Sequence, residues 1–262
     1  MTLYADPSLI KLTHMTHSST QDLLIQLFHE SNTPVPEWLF EFFDPELLIH
    51  FYNFLKDTND RGGFFSKNDS ERIFTRHFFE SIVFAHYVSH SLSVSRETKI
   101  AYAGSGPGLP GYLFACMINP PSLTLIDSSR RRLSLLEEFH IKLKGHNPVN
   151  FSYSRLEDMK DSFDIITARA LIPFPFVIEL ICRSVKKNGH AVIFSADDRQ
   201  LSDREDAYLK KLGFVSRETL LPEEVNIDSR RTIKILQKIE TTSRIYPRDW
   251  KKIKDEIVLW QK

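Results

Sequence analysis

The chain has 262 residues, 34 basic against 34 acidic side chains, and 42% hydrophobic residues. That length suits one large α/β domain with an appendage, and a formal net charge of zero excludes a global field that draws the chain to nucleic acid, so any such binding uses local patches. The two cysteines, Cys116 and Cys182, lie in apolar runs and read as buried hydrophobes of a reducing cytoplasm, not as a disulfide or metal pair.

No apolar run approaches the roughly 20 residues of a membrane span, and the opening Met-Thr-Leu-Tyr-Ala-Asp lacks the basic-then-apolar order of a secretory signal. Residues 1–43 are weakly patterned, with an amphipathic run from Asp22 to His29 and a break at Pro34 and Pro36. Asp44-Pro45 offers an N-cap and a first-turn proline. Leu47, Leu48, Phe51, Phe54 and Leu55 then recur at helical spacing. Asp57 to Lys67, with Gly62-Gly63, reads as a loop. A further helix is expected from about Ser70 to Ser91, with Ile73, Phe74, His77, Phe78, Ile82 and Val83 on one side. Residues 44–95 thus form a helical region.

From Thr98 the rhythm changes. Strands are expected near 98–103, 122–127, 149–153, 163–168 and 189–195, with helices near 111–118, 129–144, 174–187 and 200–211. That alternation predicts a parallel, doubly wound sheet. Phe214–Leu220 and Arg231–Lys238 are two more strands, joined without room for a crossover helix, so they pair antiparallel. A parallel sheet finished by an antiparallel strand is the arrangement of methyltransferases that use S-adenosylmethionine (SAM). The expected domain spans 96–240, and a basic tail follows at 241–262.

The glycine turn Gly104-Ser105-Gly106-Pro107-Gly108-Leu109-Pro110-Gly111 follows the first strand. Glycine there lets backbone N–H groups approach a nucleotide-like ligand. A dinucleotide fingerprint needs Gly-x-Gly-x-x-Gly/Ala, but Leu109 stands at its third position, and Gly-x-Gly-x-Gly is the turn usual for SAM. Asp127 ends the second strand about 20 residues later, where an acidic residue accepts hydrogen bonds from a ribose diol; it also suits the N-cap of the next helix.

Several stretches, in order, resemble one family: the bacterial small-subunit ribosomal RNA guanine-N7 methyltransferases, also called glucose-inhibited division protein B. They are the glycine turn with its Leu-Pro-Gly tail, Asp127-Ser-Ser-Arg-Arg-Arg-Leu-Ser-Leu-Leu136, Ser154-Arg-Leu-Glu157, Phe163-Asp-Ile-Ile-Thr-Ala-Arg-Ala170, Arg76-His77-Phe-Phe-Glu-Ser81 and Arg244-Ile-Tyr-Pro-Arg248. The resemblance spans about residues 44 to 250. It implies a class I SAM-dependent methyltransferase fold, Rossmann-like, with a helical N-terminal region. It also implies methyl transfer from SAM to a guanine N7 of small-subunit ribosomal RNA, naked or in an assembling subunit, by a cytoplasmic monomer. Gly104, Ser105, Gly106, Gly108, Asp127, Leu156, Glu157 and Arg169 are its candidate cofactor residues. Two positions depart from the family: Tyr102 stands where an Asp is usual, and Ala196 where a Lys is usual. They motivate the rival reading of a catalytically weakened ribosome- or RNA-binding protein that keeps the fold. A nicotinamide-dependent oxidoreductase is disfavoured by Leu109 and the antiparallel finish.

Guanine N7 presents an in-plane lone pair and no proton, so a general base is dispensable and positioning supplies most of the rate. Arg169, at the carboxyl end of the fourth strand where open α/β sheets bind ligands, is the leading catalytic-face residue; it can grip a phosphate or guanine O6. Arg76 and His77 join it on the helix that the family folds over the cofactor. Arg130, Arg131, Arg132, Arg244 and Arg248, with Lys142 and Lys144, are candidate RNA contacts, and Tyr246 and Trp250 are interleaved for stacking. His14/His17 and His86/His90 have helical spacing but no third ligand nearby, so no metal is expected.

Overall fold

A computed structural model describes residues 17–66, 69, 72–143, 147–159, 161–169, 171–196, 199–225 and 231–260. Expectations placed on His14, Lys67, Ser70, Lys144 and Ala170 lie outside the described residues.

The helical region comprises α1 (His17–Glu30), α2 (Leu39–Phe42), α3 (Pro45–Gly62), a π-helical turn (Ile73–Phe79) and α4 (Glu80–Ser91). Helix α3 begins as its sequence demands: the Asp44 carboxylate accepts from the Glu46 N–H at 2.8 Å, and Pro45 occupies the first turn. It continues through residues expected to be a loop and stops at Gly63, whose φ of +60° is left-handed and whose N–H donates to the Asn59 carbonyl at 2.8 Å.

The sheet follows. Its elements are β1 (Lys99–Ala103), β2 (Ser122–Ile126), α5 (Arg130–Lys142), β3 (Val149–Ser152), β4 (Phe163–Arg169), α6 (Phe176–Ile181), β5 (Val185–Ser195), α7 (Asp203–Lys211), β6 (Phe214–Leu220) and β7 (Thr232–Lys238). The order is β3-β2-β1-β4-β5-β7-β6, with β7 antiparallel to both of its neighbours and the other pairs parallel. Alternate residues feed two cores, as the pleat requires. Ile100, Tyr102, Leu123, Leu125, Ile165, Val192 and Phe194 pack toward α3 and α4. Ala101, Ala103, Ile126, Ile166, Ala168, Ala191 and Ile193 pack toward α6 and α7. The expected basic tail ends in an amphipathic helix, α8 (Trp250–Trp260), whose Ile253 and Ile257 are buried in this second core.

Two expected helices are shorter than their sequence signal. After the glycine turn only a 3₁₀ turn forms, Gly111–Phe114. The backbone beyond it bonds elsewhere: the Asp44 N–H donates to the Cys116 carbonyl, and the Ile118 N–H to the Phe42 carbonyl, both at 2.9 Å. The helix expected near 174–187 ends at Ile181 because β5 starts early, with Val185 paired to Phe163.

Candidate active site

A cavity of about 740 Å³ opens at the carboxyl ends of β1, β2 and β4, where the loops of an open α/β sheet diverge. Gly104, Ser105, Gly106, Asp127, Leu156, Glu157 and Arg169 all line it. Gly104, Gly106 and Gly108 have φ of +71°, +50° and +101°, a region that side chains rarely adopt. Gly108 does not face the cavity. It is covered by Leu136, Tyr112 and Phe51, so it belongs to the packing of the turn. Asp127 is not the N-cap of α5, a position that Ser129 takes; its carboxylate instead braces the backbone on either side of the cavity. One carboxylate oxygen accepts from the Gly106 N–H and the other from the Ser129 N–H, each at 2.7 Å. Each oxygen has a second lone pair, and the residue also lines the cavity.

Tyr102, in place of the usual Asp, is 1% exposed. Its hydroxyl donates to the Leu109 carbonyl at 2.6 Å, tying the end of the glycine turn to β1. Its ring lies beneath Gly111 and forms part of the cavity wall without closing it. Burial pushes its phenol well above the ordinary value, so it brings no negative charge.

Arg169 sits at the mouth in an ion-pair node. It donates to Glu80 at 2.8 Å and lies 4.8 Å from the centre of the Phe194 ring. Glu80, itself 5% exposed, also accepts from Arg231 at 3.0 Å. Burial outweighs both cations and raises the Glu80 carboxyl above its ordinary value. His77 lines the cavity, its ring stacked 4.6 Å from that of Phe65. Its Nε2 is buried without a hydrogen-bond partner among the described residues. Burial first, then the Arg169 charge, holds its pKa down to about 4. Arg76 is not brought to the cavity. It lines a separate groove with Arg72 and Glu224, and has Asp69 at 3.4 Å.

The expected RNA cluster is divided. Arg130 is exposed above the Tyr153 ring, whereas Arg131 donates to the Arg61 carbonyl at 2.6 Å and ties α5 to α3. Arg132 lines the cavity. Arg244 is exposed. Arg248 is a tail clamp, not a free phosphate ligand: its backbone N–H, Nε and Nη2 all donate to Glu179, at 2.7, 2.9 and 2.7 Å. Asp164 accepts from the Lys99 N–H at 2.9 Å and from Lys186 at 2.7 Å, and is structural. Phe64, Phe65, Leu171, Ile172 and Trp250 also line the cavity; sequence reasoning missed them there, although Trp250 carried an aromatic signal in the tail.

The family model for rRNA small subunit methyltransferase G, GidB, matches residues 44–218. The chain belongs to that family. A ribosomal RNA small subunit methyltransferase G from Leptospira biflexa is 42% identical over 87% of this chain and 94% of its own length. A namesake from Leptospira interrogans is 37% identical over 91% of this chain and 93% of its own, and one from Geobacillus is 30% identical over 76% and 84%. Among solved structures, magnesium protoporphyrin IX methyltransferase from Synechocystis PCC 6803, with SAH bound, superposes with a TM-score of 0.52 at 12% identity, covering 72% of this chain and 99% of that one. That likeness supports the class I methyltransferase fold. SAM is the cofactor, and the residues present fit it: a glycine turn and a carboxylate lining one cavity of about 740 Å³. Among the described residues no group of His, Cys, Asp and Glu could hold a metal, and no helix is long and apolar enough to cross a membrane.

Proposed function

We propose that this chain transfers the methyl group of SAM to N7 of a guanine in small-subunit ribosomal RNA. The observation that carries the reading is the pairing, in one cavity, of the Asp127 floor with a mouth built from Arg169 and His77. Gly104, Ser105, Gly106 and Asp127 would hold the methionine and ribose portions, and Leu156 and Glu157 the adenine. Bound there, SAM supplies an electrophilic sulfonium methyl.

The mouth suits a nucleophile that has no proton to lose. His77 is uncharged at neutral pH and adds no cation beside a sulfonium, and Glu80 offsets the charge of Arg169. Arg169 can donate to guanine O6, which fixes the neighbouring N7 in line. Exposed Arg155 at the cavity, and exposed Arg130 and Arg244 outside it, supply phosphate contacts. The protein acts in the cytoplasm, as a monomer, on RNA or on an assembling subunit.

The test uses ribosomal RNA from cells lacking the gene, as naked RNA and as small subunits, incubated with the purified protein and labelled SAM. Mass spectrometry of the digested RNA is expected to find label as N7-methylguanine. Label on another atom, or none while SAH still binds by calorimetry, overturns the reading.

A further inference from the structure

Helix α8 carries an apolar stripe, Trp250, Ile253, Ile257 and Trp260, at the alternating spacing of three and four that aligns side chains on one helix face. Three of the four are docked. Ile253 is 0% and Ile257 9% exposed, and the Trp260 ring packs edge-on against Phe176 at 5.0 Å and Tyr208 at 5.7 Å. The first member is different. Trp250 is 44% exposed, and it forms part of the wall of the cofactor cavity.

Its place is held from two sides. Two residues earlier Arg248 grips Glu179, which is fully buried on α6, and Tyr208 donates to the same carboxylate. One turn later Ile253 enters the same core as Ile178 and Leu180 of α6. Leu180 is itself a cavity residue, and the 3₁₀ turn Leu156–Asp158 packs on the same helix. The tail and the turn Leu156–Asp158 are thus both anchored on α6, and both contribute to the same cavity. The region matched by the family model ends at residue 218, so this wall is added from beyond it.

We propose that Trp250 is a cofactor-specificity residue whose indole covers the adenine of SAM. A large, rigid π-face held at the rim by a buried ion pair is suited to purine stacking. Adenine supplies the flat apolar surface that the exposed indole face otherwise presents to water. The inference rests on the SAM reading of the cavity.

The test compares the full chain with Trp250→Ala and Trp250→Phe. Titration calorimetry uses SAH and 5′-methylthioadenosine, which share only the adenosine portion and a sulfur. Trp250→Ala is expected to weaken both ligands by a similar factor, roughly ten- to hundredfold, and Trp250→Phe to stay within about threefold of the parent. KM for SAM rises while kcat at saturating SAM and KM for RNA hold. Unchanged affinity for SAH, with or without a raised KM for RNA, overturns the proposal; a raised KM for RNA alone marks Trp250 as an RNA-base platform. A loss for SAH but not for 5′-methylthioadenosine also overturns it. Failure of the parent chain to bind SAH sinks the SAM reading itself and is distinct from all of these. A circular-dichroism melt of Trp250→Ala that matches the parent shows that the fold is intact.

Discussion

Arg248→Ala removes the cation paired with a carboxylate of 0% exposure, Glu179. Two side-chain hydrogen bonds to Glu179 go, at 2.9 and 2.7 Å, together with the more exposed ones to Glu256 at 2.6 Å and to the Tyr208 hydroxyl at 2.7 Å, while the backbone N–H of residue 248 still donates to Glu179 at 2.7 Å. Charge-assisted bonds are worth about 1.5–3 kcal/mol each, and breaking a buried pair costs about 3–5 kcal/mol. The two routes agree, so urea unfolding at neutral pH is expected to show a loss in that range.

The pH dependence identifies the cause. In the native protein burial alone would raise the Glu179 carboxyl, but hydrogen bonds and charge from Arg248 hold it below its ordinary value. Its contribution is therefore complete above the unfolded carboxylate pKa and is lost as pH falls through the folded one. In the variant burial acts with only Tyr208 and the N–H to oppose it, and the carboxyl moves upward. The deficit against the parent is then largest near neutrality and shrinks on acidification, as Glu179 takes a proton. Arg248→Met with Glu179→Leu recovers most of the loss, since neither charge remains to be solvated. A deficit below about 1 kcal/mol, or one equal at about pH 5 and pH 8, would refute the reasoning.

Gly104→Ala places a methyl 2.6 Å from a Leu171 methyl at a φ of +71°; a stability loss of about 1–3 kcal/mol with weaker SAH binding is expected, and parent-like values for both would argue against the turn as drawn. Asp127→Asn sets an amide against the N–H of Gly106 or Ser129, each now 2.7 Å from a carboxylate oxygen; calorimetry is expected to show SAH affinity lower by tenfold or more, at roughly 1.4 kcal/mol per decade. His77 and His86 are both held down to about 4, chiefly by burial, against about 6.5 when unfolded. Unfolding therefore takes up protons between these values, and stability falls as pH drops through that window by up to about 1.4 kcal/mol per pH unit for each histidine. His77→Gln is expected to remove about half of that slope, as read from unfolding free energies at several pH values; an unchanged slope would mean that His77 is not buried neutral.

The elements most legible in the chain were those whose causes are local. Asp44-Pro45 starts α3, the glycines turn the chain at positive φ, and Asp127 lies one strand length and one turn beyond them. Short apolar runs in 99–103 and 189–195, followed by two strands without a crossover, contain the sheet and its antiparallel finish. Each of these signals acts over a few residues, through sterics, capping or side-chain period, so no tertiary partner is needed to read it. What only the tertiary structure decided is which charges meet. Glu80 joins Arg169 and Arg231 across 89 and 151 residues, Arg248 reaches Glu179 across 69, and the tail places Trp250 beside Leu180 in the cavity wall. An arginine on a surface and an arginine under a helix have the same letter and the same local pattern. Burial and the nearest carboxylate separate them, and both depend on parts of the chain that are remote in sequence.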